Sequence, residues 1–101
     1  MENSTEINSR IYIRIAEICE NYLTRSASLY ETITKLEGLI SFLVISVDLK
    51  NEFLKRWGFL EEVFAAELDD PSRDVIRTEK QRLFDAVIQI QKAANDRVEN
   101  A

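Results

Sequence analysis

In the stretch SRIYIRIAEIC, residues 9–19, isoleucines at 11, 13 and 15 alternate with tyrosine and arginine, the pattern of a half-buried strand. Widening the window breaks the alternation. The same parity brings in Glu17 and Asn21, while Ile18 and Tyr22 fall on the opposite face. Helical spacing continues where strand spacing stops: Ile7, Ile11, Ile15, Ile18 and Tyr22 recur at intervals of 4, 4, 3 and 4. Tyr12, Ala16, Cys19 and Leu23 run beside them and widen the apolar face to that of a core-facing helix. The pattern predicts a helix over 5–24, in which packing overrules the middling propensity of β-branched residues. Ile13 is left over, on the side of Glu17 and Glu20.

Ser28 and Glu31 form an S-x-x-E capping box and predict a second helix over 28–48. Its residues Leu29, Ile33, Leu36, Ile40, Leu43 and Val47 trace a heptad seam, read as bundle core. On the other side Thr34, Gly38 and Ser41 are small, with Ile45 and Asp48 continuing the row. From Phe42 to Leu49 almost no polar face remains, and a helix apolar all round is enclosed by protein. The apolar run leaves open whether this helix continues into the next. A third helix over 51–69, started by Asp48 or Asn51, carries Phe53, Trp57, Leu60, Phe64 and Leu68 in one row. Gly58 weakens it by about 1 kcal/mol relative to alanine. It stops before Pro71, because the residue ahead of a proline avoids helical geometry. Asp70 as N-cap and Pro71 as first residue then open a fourth helix over 71–95. This helix places Ile76, Leu83, Val87, Ile90 and Ala94 on one face, with Phe84 and Ile88 alongside, and the last residues of the chain are expected to be loose. Short connections force antiparallel neighbours. The expected fold is all-α, a single antiparallel up-down bundle of four helices.

Composition narrows the function more than it names it. Within 101 residues the 46% hydrophobic and 31% charged content supports one soluble core, and two glycines with one proline leave little material for hairpins. The net charge of −5, from 18 acidic and 13 basic residues, disfavours a generic nucleic-acid or anionic-membrane surface and suits a basic partner. The longest apolar stretch, LISFLVISVDL over 39–49, falls short of the ~20 residues a spanning helix needs. One cysteine cannot form an internal disulfide, and the first residues have neither the charge nor the apolar run of a leader, so the cytoplasm is the expected location.

The chain has no histidine, which removes the commonest general base, the usual metal nitrogen ligand and every histidine-activated nucleophile. Cys19 lies on an apolar row and reads as a small buried hydrophobe, and one cysteine cannot build a zinc site. No catalytic residue, metal ligand or cofactor is assigned. Carboxylates remain, and they can hold magnesium with water and phosphate. Glu17 and Glu20 form E-x-x-E, and Glu67 and Asp70 form E-x-x-D. In these motifs the chain resembles the all-helical nucleotide pyrophosphohydrolases, and the resemblance implies a magnesium-dependent nucleotide hydrolase. It departs from that family in spacing, since 46 residues separate the motifs, and in placing Asp70 at a helix cap. Gly38 and Gly58 stand alone in helical stretches, so no glycine-rich phosphate loop is present.

Two charged features remain. Arg73, Arg77 and Lys80 form a basic row on the fourth helix. A hairpin about Asp70 would set them beside Glu67, Glu62 and Glu61, neutralising them rather than offering them to phosphate. Between Glu61 and Asp70 stand five carboxylates, Glu61, Glu62, Glu67, Asp69 and Asp70, with no basic residue among them. Such a run is either a solvated face or a surface that docks on a basic protein, as inhibitors that mimic nucleic acid do. Trp57 beside it is either an aromatic anchor or core. The expected function is a non-catalytic cytosolic protein-interaction module, with an inhibitor or immunity-type role preferred, and with neither nucleic acid nor membrane as partner. A homodimer is expected through Ile13, Thr34, Gly38, Ser41, Phe42 and Ile45, on the ground that so much surplus apolar surface needs a cover. The alternatives are a dimeric assembly scaffold and, from a different class, the magnesium-dependent pyrophosphohydrolase.

Overall fold

Ile11, Ile13 and Ile15 all lie in one helix. The computed structural model describes residues 4–99, and among them there is no strand. The elements are α1 (Ser4–Leu23), α2 (Leu29–Phe42), α3 (Val47–Asp69), a 3-10 turn (Pro71–Arg73), the one-turn helix α4 (Val75–Thr78) and α5 (Lys80–Glu99). The chain is all-α and folds as one domain. Five α-helices stand where four were expected, because the fourth predicted helix is divided. Pro71 opens only the 3-10 turn, Asp74 adopts a left-handed backbone (φ 52°), and the long helix begins at Lys80 and runs past Asn95 to Glu99. Residues 1–3, 100 and 101 lie outside the described residues, so the loose ends expected there are not addressed.

The second difference lies between α2 and α3. The Ser28 cap is as expected, its Oγ accepting the Glu31 N–H at 3.1 Å. The helix then ends at Phe42, not at residue 48, and Leu43 is extended (φ −64°, ψ 133°). Two side chains compete successfully for this backbone. Asn8 of α1 donates its Nδ2 to the Val44 carbonyl and accepts the Val44 N–H at its Oδ1, both at 2.9 Å. Ser46 caps α3, its Oγ accepting the Leu49 N–H at 3.2 Å, so the helix starts ahead of both Asp48 and Asn51. The Phe42–Leu49 run is therefore not a helix enclosed by protein. Leu43 turns inward and is buried, whereas Phe42 is 72% exposed and Val47 74% exposed.

The four long helices pack in a ring, each antiparallel to its neighbours. Asn8 meets Val44 across α1 and the α2–α3 connection, Trp57 meets Ile33 across α3 and α2, and Arg56 Nε donates to Gln89 Oε1 across α3 and α5 at 2.7 Å. Gln91 of α5 donates to the Ala16 carbonyl of α1 at 3.2 Å, and this α1–α5 packing is the most extensive in the molecule. The core follows the seam through Leu29, Ile33, Leu36 and Ile40, and joins Ile15, Ile18 and Cys19 of α1 to Phe53 and Leu60 of α3 and Leu83, Val87 and Ile90 of α5. Burial at the rim departs from the expected rows. Ile7 is exposed while Asn8 is buried, since Asn8 is turned inward to hold Val44. In α3, Val63 replaces Leu68 as the buried residue of the last turns. No helix among the described residues is long and apolar enough to cross a membrane.

Candidate interaction surface

From Trp57 to Asp70 the chain has no lysine or arginine. Burial of Phe53, Leu60 and Val63 sets the inward face of α3. The 3.6-residue period then carries Glu61, Glu62, Ala65, Leu68 and Asp69 around to solvent, and all five are exposed. None of Glu61, Glu62, Glu67, Asp69 and Asp70 takes part in an ion pair among the described residues. The hairpin pairing expected with Arg73, Arg77 and Lys80 does not form. The left-handed residue Asp74 and the short α4 interrupt the hairpin, so the three cations sit on three separate elements rather than along one helix. Arg77 lies 3.5 Å from Asp74, and Lys80 Nζ stands 5.7 Å from the Phe84 ring centre. Arg82, which faces α3 instead, pairs with Glu79 at 2.9 Å and lies over the Phe59 ring at 4.9 Å.

The five carboxylates divide by role. Glu61, Glu62 and Asp69 are exposed and hold no hydrogen-bond partner among the described residues. Asp70 Oδ1 accepts the N–H and the hydroxyl of Ser72, capping the 3-10 turn. Glu67 is half-buried and turned the other way, toward α4. Its Oε1 accepts the Ile76 N–H at 3.5 Å, and its Oε2 is buried without a partner. It lines an open hollow of about 480 Å³ at the α3–α4 pole, with Tyr22, Arg25, Leu29, Ile76 and Phe84.

Trp57 is not an exposed anchor. It is half-buried, and its indole N–H donates to the Ile33 carbonyl at 2.9 Å, tying α3 to α2. Two other large side chains occupy the surface instead. Leu68, placed on the core row by its spacing, is 66% exposed, and Tyr30 is 58% exposed with its ring centre 5.5 Å from that of Phe64. A signal for Tyr30 was available, since it lies off the α2 seam by about 100°. For Leu68 there was none beyond its place in the last turn before Pro71.

The residues expected at a dimer interface do not form one surface. Ile13 lines a hollow between α1 and α5, with Glu17, Glu20 and Gln91. Thr34, Gly38 and Phe42 line another between α1 and α2, with Ile18 and Leu39. A Cβ added at Gly38 would meet nothing within 4 Å, so no helix backbone approaches it closely. Ser41 Oγ donates to the Gly38 carbonyl at 2.7 Å, and Ile45 packs half-buried against the core.

The two carboxylate motifs stay apart as well. Glu17 pairs with Arg14 at 2.8 Å and Glu20 accepts from Gln91 at 2.9 Å, on the α1–α5 side, while Glu67 and Asp70 serve the α3–α4 turn. Among the described residues no three Asp, Glu, Cys or His side chains converge in a way that could hold a metal ion. Cys19 is fully buried, and burial pushes its thiol up to about 12. Burial likewise raises Tyr22 and Tyr12, the latter partly offset by Arg97. Compared with known proteins, the chain matches no family model, no curated protein and no solved structure.

Proposed function

We propose that this chain is a non-catalytic protein-interaction module whose α3 docks on a basic protein partner, in the manner of a small inhibitor or immunity-type protein. The observation that carries the reading is the unpaired state of Glu61, Glu62 and Asp69. Arg14–Glu17, Arg56–Glu52 and Arg82–Glu79 are among the acid–base pairs that lie within 4.0 Å elsewhere on the surface, yet these exposed carboxylates have no cationic partner among the described residues. An uncompensated acidic face raises the local concentration of a basic protein and speeds its encounter. The absence of histidine and the buried, protonated state of Cys19 support the non-catalytic part of the reading. The preference for an inhibitor is an analogy of size, shape and charge.

The test is an association rate. For a partner captured from the native host and identified by mass spectrometry, converting Glu61 and Glu62 together to glutamine is expected to slow binding roughly tenfold at low salt. Thermal stability should hardly change. At physiological ionic strength the difference should shrink, because exposed charges are screened within about 8–10 Å. Equal rates for mutant and parent at low salt would return this face to a solvated surface.

A dimeric scaffold is a second reading, favoured by one observation: Phe42 stands exposed beside open Gly38 in the α1–α2 hollow. Sedimentation should then give a dimer that Phe42→Ser converts to monomer. A monomer in the parent at tens of micromolar would remove this reading.

A further inference from the structure

The acidic face has an apolar spine. Phe64 and Leu68 are one turn apart on α3, and Tyr30 of α2 packs its ring against Phe64 at 5.5 Å. Leu68 and Tyr30 are among the most exposed large apolar residues of the described chain. Carboxylates flank this spine along the same face. Glu61 precedes Leu68 by two turns on its row and Glu37 follows Tyr30 by two turns on α2, while Asp69 lies about 100° round α3 from Leu68, toward solvent. Glu37, Glu61 and Asp69 all lack an ion pair among the described residues. The only cation of α2, Lys35, lies on the α1 side in the hollow with Arg14 and Gly38, and Lys50 of α3 bonds the Ser41 carbonyl toward the opposite pole.

From this arrangement we infer that the α2–α3 face is the docking groove for a basic amphipathic helix of the partner, with two or three apolar anchors bracketed by lysine or arginine. The inference rests on the reading of a basic partner and specifies its shape. Charge complementarity selects the occupant, since an apolar strip edged by the unpaired carboxylates Glu37 and Glu61 desolvates well only against an apolar strip edged by cations. Helix geometry selects its form. The groove between two antiparallel helices accepts a third laid along it, and the described residues offer no strand edge to extend. Along α3 the step of seven positions from Glu61 to Leu68 spans roughly 10 Å, so the partner's cations stand about two turns from its anchors.

The test uses the full chain and a defined probe, a synthetic leucine–lysine helix with leucines at i, i+3, i+4 and i+7. A scrambled peptide of the same composition is the comparison, and both are titrated calorimetrically. The patterned peptide should bind roughly tenfold more tightly than the scrambled one, and Leu68→Ser or Tyr30→Ser should each remove most of that margin. Ile88→Ser, which removes an equally apolar exposed residue from α5, should keep it. Circular dichroism establishes that each variant remains helical, and either groove variant alone suffices. Equal affinity for the two peptides, or equal loss with Ile88→Ser, overturns the groove while leaving the charge reading to stand or fall on the Glu61 and Glu62 rates. A dimer of the parent that Leu68→Ser dissolves would assign the face to a second copy of the chain and also overturn it.

Discussion

Leu43→Ala is expected to cost about 2–5 kcal/mol of stability, the range for removing a buried leucine from a packed core, whereas Val47→Ala should change it by less than about 0.5 kcal/mol. The two residues hold successive positions on one heptad seam, and a continuous helix would bury both. The structure separates them. Leu43 is 3% exposed because the chain turns extended and directs it into the core, and Val47 is exposed as the first residue of the next helix. The loss at Leu43 is a large share of the stability of a domain this size. Urea unfolding of both variants reads the contrast directly. Similar losses at the two positions would mean that α2 runs through the connection after all.

The second large effect belongs to Asn8. Its carboxamide satisfies both the N–H and the carbonyl of Val44, and a lost partner in such a part-buried site costs about 1–3 kcal/mol. Asn8→Ala should therefore destabilise by that amount. Asn8→Asp tests the geometry more sharply, because an ionised carboxylate can accept from the Val44 N–H but only repels the Val44 carbonyl. The protonated acid restores the missing donor. Folding then favours the neutral form, so the introduced carboxyl is raised above its usual value of about 3.9. Its stabilising contribution is present below that value and lost as pH rises through the raised one. Relative to the parent, the variant should be strongly destabilised at pH 7 and recover most of the difference near pH 3. A deficit that does not depend on pH would mean that the Val44 carbonyl is not held by this side chain.

The helices were legible in the chain wherever the local signal was unopposed. The Ser28 cap, the α1 row from Ile11 to Tyr22 and the stop before Pro71 depend on residues a turn apart, and each stands where the pattern put it, Ile7 at the rim excepted. The end of α2 was hidden for the opposite reason. Ser46 has no acidic residue three positions on to mark it as a cap, and the partner that claims Val44 comes from α1, 36 residues away. The same distinction divides the interaction surface. The positions of Glu61, Glu62 and Asp69 could be read from the α3 period. Their freedom from Arg73, Arg77 and Lys80 could not, because it follows from the positive φ of Asp74, a residue type that tolerates but does not demand it. Trp57 was ambiguous until its indole hydrogen found the Ile33 carbonyl, a contact no spacing within α3 can encode.

The broadest helix–helix contact joins the first long helix to the last. During synthesis α1, α2 and α3 leave the ribosome with one flank of Ile15, Ile18 and Cys19 uncovered, and among the described residues it is 80–99 that close it. The bundle is thus closed by the segment most distant in sequence from the surface it covers, a long-range contact whose loop closure carries an entropic cost. A nascent chain halted in the 70–74 turn would carry a complete α2–α3 face together with an open core seam.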